Sequence, residues 1–226
     1  MLVRIDRLIP DDLLKELQTR LTGAEFEDGR ATAGVDARLV KKNRQLVRDS
    51  ALADELGNTV LKRIGSVPEL VGVTFPQRIS RPMFSAYEPG MEYGLHVDNG
   101  IMQQGPQGPV RSDISMTIFL SPPESYDGGE LLIEDSGLGH HRVKLPAGSA
   151  FAYPSTSLHR VGPVTRGVRL ACVMWIQSQI RDPGQRRILV DLDMAAGRLR
   201  ERDPNSQELK LVSASYHNLL RLWAEV

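Results

Sequence analysis

The chain has 226 residues, 28 basic and 28 acidic side chains, a formal net charge of zero and 41% hydrophobic residues. That length buries one principal core with helical additions, and the balanced charge lacks the basic footprint of a nucleic-acid binder. No apolar run approaches the roughly 20 residues that cross a bilayer, residues 1–6 lack the apolar core of a signal peptide, and Cys172 alone cannot form an internal disulfide. The expectation is a cytoplasmic protein with neither membrane nor nucleic-acid partners.

Leu13, Leu14, Leu17 and Leu21 share a helical face behind Pro10, and Asp11 and Asp12 fall in the first turn, where carboxylates favour the helix dipole. A second helix begins near Asp49 or Ser50 and carries Leu52, Leu56, Val60, Leu61 and Ile64 until Gly65 and Pro68 stop it. Residues 1–77 therefore read as a helical support region backing a sheet. Over 78–178 the pattern changes to short β-like runs separated by Gly, Pro, Asp and Ser, clearest at 114–120, 130–133, 141–145, 149–153 and 168–177. About eight such strands make a jelly roll, so the fold class is α+β.

The Gly/Gln/Pro-rich segment between Asn99 and Asp113 reads as a loop, either a lid over substrate or a plain connection. Beyond Arg181 the helical period returns: Leu209, Val212, Tyr216, Leu219 and Trp223 recur at three and four, with Asn205 and Glu208 in capping-box-like positions. Residues 179–226 form a C-terminal helical extension packed on its own domain, a homo-oligomer seam being the alternative.

Chemistry concentrates at His96-Val97-Asp98. Residues two apart in a strand project to one face, so His96 and Asp98 offer a nitrogen and an oxygen to one ion, while Leu95 and Val97 occupy the other face. His140, His141, His159 and His217 are the candidates for a third ligand. His217 lies on a flank of the C-terminal helix and His140-His141 follow a turn-like Gly137-Leu138-Gly139. His159 is preferred because it opens a strand after the turn-like Pro154-Ser155-Thr156-Ser157. Two histidines and a carboxylate leave open positions on non-haem Fe(II); catalytic zinc uses the same set.

Arg169 supports an oxygenase over a zinc hydrolase. It opens a run, Leu170-Ala171-Cys172-Val173-Met174-Trp175-Ile176, that is apolar on both faces, where a charge requires a partner or a solvated cavity. No acid is near in sequence, and a substrate carboxylate matches the guanidinium fork. A solvated strand end, or pairing with a distant acid, is the other reading. Arg78, Arg81 and Arg111 are further candidates for an acidic substrate, with surface or structural roles the simpler reading.

These residues, in this order, resemble the iron and 2-oxoglutarate-dependent dioxygenases, and more closely the bacterial PKHD-type hydroxylases, relatives of prolyl 4-hydroxylases. The resemblance rests on Arg81-Pro82-Met83-Phe84-Ser85-Ala86-Tyr87, Tyr93-Gly94-Leu95-His96-Val97-Asp98-Asn99, Arg111-Ser112-Asp113-Ile114-Ser115, Tyr126-Asp127-Gly128-Gly129-Glu130-Leu131, Leu158-His159-Arg160-Val161 and Gly167-Val168-Arg169, and it continues to Tyr216-His217-Asn218-Leu219-Leu220. It implies a double-stranded β-helix, Fe(2+) on His96, Asp98 and His159, the distal carboxylate of 2-oxoglutarate on Arg169, and L-ascorbate as an iron-reducing helper. Tyr87 could hydrogen-bond the cosubstrate; a packed aromatic is the alternative. Asp98 stands where related halogenases carry a small residue, so the resemblance implies hydroxylation, with O2 consumed and succinate and CO2 released. The primary substrate is left as an amino-acid side chain or a small molecule, an iron chelator among the options. A non-catalytic iron or 2-oxoglutarate sensor is the competing function.

Overall fold

The computed structural model describes residues 1–104, 108–135 and 139–226. Two antiparallel sheets hold the site between them. The larger has eight strands: Val3–Ile5, Ala150–Pro154, Ile114–Phe119, Arg169–Ser178, Met83–Tyr87, Arg44–Leu46 and Phe26–Asp28 in spatial order, with Pro76–Ile79 also paired to Arg169–Ser178. The smaller runs Gly139–Val143, Leu131–Asp135, His159–Val161, Glu92–His96 and Lys41–Lys42. Six helices accompany them among the described residues: α1 (Asp11–Thr22), α2 (Val35–Val40), α3 (Ala51–Gly65), α4 (Pro68–Thr74), α5 (Pro183–Arg202) and α6 (Gln207–Trp223).

Strand periodicity decides what faces the site. Ile114, Met116 and Ile118 of one central strand and Cys172, Met174 and Ile176 of its neighbour join Leu17 and Leu21 of α1 and Leu56, Val60 and Ile64 of α3 in the principal core. The intervening residues point the other way, so Ser115, Thr117, Arg169, Val173 and Trp175 line a cavity against the smaller sheet. Both faces are covered, which is why the 168–177 run is almost continuously apolar.

The helices form where expected, with instructive differences at their ends. Ser50 caps α3, its hydroxyl accepting the Ala53 N–H at 3.2 Å. Pro68 does more than stop α3: it is the first residue of α4, where a missing N–H costs nothing. The cap of α6 is Ser206, one residue beyond Asn205, and its hydroxyl accepts the Leu209 N–H. Tyr216, Leu219 and Trp223 of α6 pack with Leu189 and Val190 of α5 and with Phe75 and Ile180, so the apolar face of α6 is covered by its own chain.

Residues 1–77 are not helical support alone. They also give three strands to the larger sheet and Lys41–Lys42 to the smaller; strands of two or three residues carry no period for a sequence reading to detect. His140 and His141 lie on the exposed edge strand Gly139–Val143 rather than in a turn. Within 99–113, Ile101–Met102 pairs with Val110–Arg111, so this segment holds a short ladder where a loop was expected; the 105–107 part of that expectation lies outside the described residues. No helix among the described residues is long and apolar enough to cross a membrane.

Candidate metal centre

His96 ends its strand, and His159 begins the neighbouring antiparallel strand directly opposite it. Asp98 lies two residues past the strand end, so the carboxylate reaches the same side as His96. One donor atom from each of His96, Asp98 and His159 lies within 4.8 Å of the others. The two Nε2 atoms each stand 3.8 Å from an Asp98 oxygen, His96 from Oδ1 and His159 from Oδ2.

Orientation follows from the backbone. His96 Nδ1 is 2.8 Å from the Gly94 carbonyl and His159 Nδ1 is 3.0 Å from the Ser157 carbonyl. A carbonyl only accepts, so each Nδ1 carries the proton and each neutral ring turns a bare Nε2 lone pair inward. Burial, reinforced by the neighbouring His159, pushes His96 down to about 4, which keeps it unprotonated and ready as a ligand. Tyr93 stacks on His96 with centroids 3.6 Å apart, and the Tyr153 ring meets His159 edge-on at 5.0 Å. Leu95 and Val97, on the other face, are about half exposed rather than core.

Arg169 and Tyr87 line the same cavity as the three donors. The two are cross-strand partners, and the guanidinium carbon lies 5.1 Å from the Tyr87 ring and 5.5 Å from the Phe119 ring. Arg169 is only 2% exposed, its Nε has no hydrogen-bond partner, and no carboxylate of the described residues reaches it. It is neither a solvated strand end nor a paired charge. Burial holds the Tyr87 and Tyr153 hydroxyls protonated, against the pull of Arg169. Gly129, at φ +66°, makes room for the arginine: a Cβ there would sit 2.9 Å from Arg169 Cδ and 2.9 Å from Val164 Cγ2.

Several residues at the site have no signal in the sequence. Ser115 donates a 2.5 Å hydrogen bond to Asp98 Oδ2 and shares a 2.7 Å contact with the Ser155 hydroxyl. Lys41 and Asn43 also line the cavity, and burial pushes Lys41 down to about 8 against the pull of Asp98 and Asp28. By contrast, His140, His141 and His217 are exposed and contribute nothing to the cavity. Arg81 pairs with Asp54 at 2.6 Å, and Arg111 with Asp113 and Glu225, each at 2.8 Å. Arg78 donates to the Pro109 carbonyl.

Comparison with known proteins decides which chemistry this donor set performs. Residues 82–177 match the 2OG-Fe(II) oxygenase superfamily, and residues 183–225 match the PKHD-type hydroxylase C-terminal domain. A PKHD-type hydroxylase of Xanthomonas euvesicatoria pv. vesicatoria is 46% identical over 229 residues, with 100% of both chains covered. The chain belongs to the PKHD-type hydroxylases. Another PKHD-type hydroxylase, of Synechococcus elongatus, is 48% identical over 225 residues, again across 100% of both chains. Among solved structures, the chain is similar in fold to a Pseudomonas putida prolyl-4-hydroxylase, with a TM-score of 0.55 and 19% identity over 78% of this chain and 92% of that one. A Trichoplax adhaerens prolyl hydroxylase, solved with a hypoxia inducible factor peptide, gives 0.53 at 15% identity over 83% and 86% of the two chains.

As a PKHD-type hydroxylase the protein is an α+β enzyme of the 2OG-Fe(II) oxygenase superfamily. The zinc-hydrolase and sensor readings give way to an oxygenase that uses Fe(II), 2-oxoglutarate and O2. The residues present fit that chemistry: two inward Nε2 atoms and a carboxylate form a set that leaves iron positions open, and a buried guanidinium lacks an anion.

Proposed function

We propose that His96 Nε2, Asp98 and His159 Nε2 hold the iron of this hydroxylase and that Arg169 binds the distal carboxylate of 2-oxoglutarate, with Tyr87 beside it. The observation that carries this reading is Arg169 itself. A guanidinium buried without a carboxylate is costly, and here it shares one cavity with a metal-donor triad; a dicarboxylate joining the two satisfies both.

Iron and 2-oxoglutarate, when bound, supply the oxidative decarboxylation to succinate and CO2 that drives hydroxylation of the substrate by O2. The chain's own groups position and exclude. The Gly94 and Ser157 carbonyls fix the imidazole tautomers, Ser115 holds one Asp98 oxygen, and the stacked Tyr93 blocks rotation of His96. Arg169 orients the cosubstrate with a planar fork that lysine lacks. The aromatic walls keep water from the reacting centre.

The two facing sheets support a double-stranded β-helix, or jelly roll, built mainly from residues 78–178, with the 1–77 region adding helices and outer strands and residues 179–226 a helical extension. L-Ascorbate as an iron reductant and a cytoplasmic location accompany this reading, the latter consistent with the lone, buried Cys172. In the described part of the 99–113 segment, Asn99 and Met102 line the cavity, which favours a lid over a plain connection. Cleavage within it by a protease should slow when iron and 2-oxoglutarate are present. A dimer through α6 has the exposed Leu211 and Leu222 to draw on.

The deciding experiment is anaerobic addition of Fe(II) and 2-oxoglutarate, read by the weak visible charge-transfer band of the chelate, then aeration and a succinate assay. The band should appear in the wild type and vanish in His159→Ala and Asp98→Ala, while Arg169→Ala should mainly raise the 2-oxoglutarate requirement. Full turnover by Asp98→Ala with unchanged iron affinity removes Asp98 from the triad.

A further inference from the structure

We infer that Lys41 and Asn43 recognise the primary substrate, and that this substrate carries a carboxylate beside an amide, the chemistry of an N-acylated amino acid or the free C-terminal end of a peptide. The inference rests on the iron and 2-oxoglutarate reading above and extends it to the third participant in the reaction.

Residues 41–45 alternate between buried and exposed. Lys41, Asn43 and Gln45 are 6%, 4% and 4% exposed and line the cavity that holds the metal donors. Three long polar side chains buried in succession at period two are not core packing. Gln45 is accounted for, since its Oε1 accepts from Thr32 and its Nε2 donates to Ser85. Lys41 and Asn43 are not. The ammonium donates to the Thr32 hydroxyl at 3.0 Å, and no carboxylate of the described residues lies within ion-pair distance of it. Neither Asn43 side-chain polar atom, Oδ1 or Nδ2, makes a well-formed hydrogen bond, although the amide sits against the Tyr87 hydroxyl.

Native interiors rarely leave such groups unmet, because an unsatisfied one bears its full desolvation penalty. A ligand that supplies an anion to Lys41 and a paired donor and acceptor to Asn43 removes both penalties. A carboxylate is the anion that suits an ammonium at this depth, and an amide is the group that complements the amide of asparagine.

Position separates Lys41 from the cosubstrate site, while Asn43 borders that site through Tyr87. Arg169 projects from the larger sheet, whereas Lys41 pairs with Tyr93 on the edge of the smaller one. The Lys41 ammonium lies 5.2 Å from the Tyr93 ring centre, and that ring stacks on His96. The ammonium and His96 thus both pack on the Tyr93 ring and line one cavity, which places the bound molecule beside the reacting centre. Outside the wall an open groove is lined by Arg30, Arg38, Lys41, Lys42 and Arg44, with Glu27, Asp28 and Glu92 among them, so basic groups outnumber acidic ones there.

The test uses the holoenzyme loaded anaerobically with Fe(II) and 2-oxoglutarate. The probes are a set of N-acetyl amino acids, their N-methylamides, and tripeptides with free or amidated C-termini. Thermal shift measures binding and succinate release on aeration measures coupling. Acids should bind about 10–100-fold more tightly than their amides, the range of a charged hydrogen bond. Lys41→Met should abolish that preference and Lys41→Arg should retain it, while the charge-transfer band and the KM for 2-oxoglutarate stay at wild-type values in both. Preference for acetyl amino acids over tripeptides, or the reverse, identifies the source of the ligand. Equal binding of acids and amides, or no binding of either, overturns the proposal, as does a Lys41→Met protein that still prefers acids. Loss of 2-oxoglutarate affinity in Lys41→Met assigns the lysine to the cosubstrate instead. If the wild type forms no band at all, the iron and 2-oxoglutarate reading has failed, and this inference fails with it.

Discussion

His96 and His159 stand directly opposite each other on antiparallel strands, and each donates its Nδ1 proton to the carbonyl two residues earlier in the chain. The same local geometry is thus built twice, once at the end of a strand and once at the start of another. Its consequence is that both lone pairs face Asp98 before any metal arrives. Preorganisation of this kind lowers the cost of binding, because the rings lose no rotamer freedom on ligation.

Ser115 should prove to be a positioning residue for the centre. Its hydroxyl holds Asp98 Oδ2 at 2.5 Å, and loss of such an outer partner weakens metal affinity or activity by ~10–100-fold. Ser115→Ala is expected to lower iron affinity in that range while leaving the KM for 2-oxoglutarate unchanged. A chelator competition titration measures it, and wild-type affinity in the variant removes the role.

Arg169 predicts opposite effects on function and stability. Replacing a buried, unpaired guanidinium with an apolar side chain of similar length relieves a desolvation penalty, so Arg169→Met should unfold at a temperature equal to or above the wild type. The same variant should require ~10–100-fold more 2-oxoglutarate, the worth of a charged hydrogen bond. Arg169→Lys keeps the charge but not the fork, and should fall between. Differential scanning calorimetry beside a 2-oxoglutarate titration separates the two effects; a strongly destabilised Arg169→Met would mean the arginine holds the fold together.

Gly129 is tested in the same assay. Its φ of +66° and the 2.9 Å approach of a Cβ to Arg169 Cδ make Gly129→Ala a change that strains the backbone by about 1–2 kcal/mol and displaces the arginine. Raised KM for 2-oxoglutarate, with iron affinity near wild type, is the expected pattern.

Acid should destabilise the metal-free protein over a defined window. Burial and the neighbouring His159 hold His96 at about 4 in the folded state, below the ~6.5 of an unperturbed histidine. Above about 6.5 both states are neutral at this site and stability does not depend on it. As pH falls from there toward 4, the unfolded chain takes up a proton that the folded chain refuses, so stability declines, levelling once the folded state also protonates. Urea midpoints measured between pH 7 and 4 in the presence of a chelator give the slope. His96→Gln should flatten it, and an unchanged slope in that variant assigns the acid sensitivity to other groups.

Much of the site was legible because strand geometry is periodic. His-x-Asp at 96–98 shares a face by the rule of two, His159 follows a turn and opens a strand, and a charge at position 169 ahead of an apolar run demands a partner; each is a local statement that sequence can make. The helices α1 and α3 were legible for the same reason, their leucine spacing and the Ser50 cap lying within a few turns of each other. The β-like run expected at 141–145 begins two residues earlier, at Gly139, so His140 and His141 both lie on the edge strand Gly139–Val143 rather than in a turn.

What the sequence determined by itself is therefore the choice and local facing of the candidate donor residues, and through their order the resemblance to the family. Only the tertiary structure decided what meets them. That Ser115 reaches Asp98 across 17 positions, that Gly129 clears space for Arg169, and that Lys41, on a two-residue strand, and Asn43, between that strand and the next, line the cavity are long-range facts. Such short strands have no stability or periodicity alone, since their hydrogen bonds come from partners distant in the chain. Their side chains acquire a role only when both sheets have formed around the same cavity.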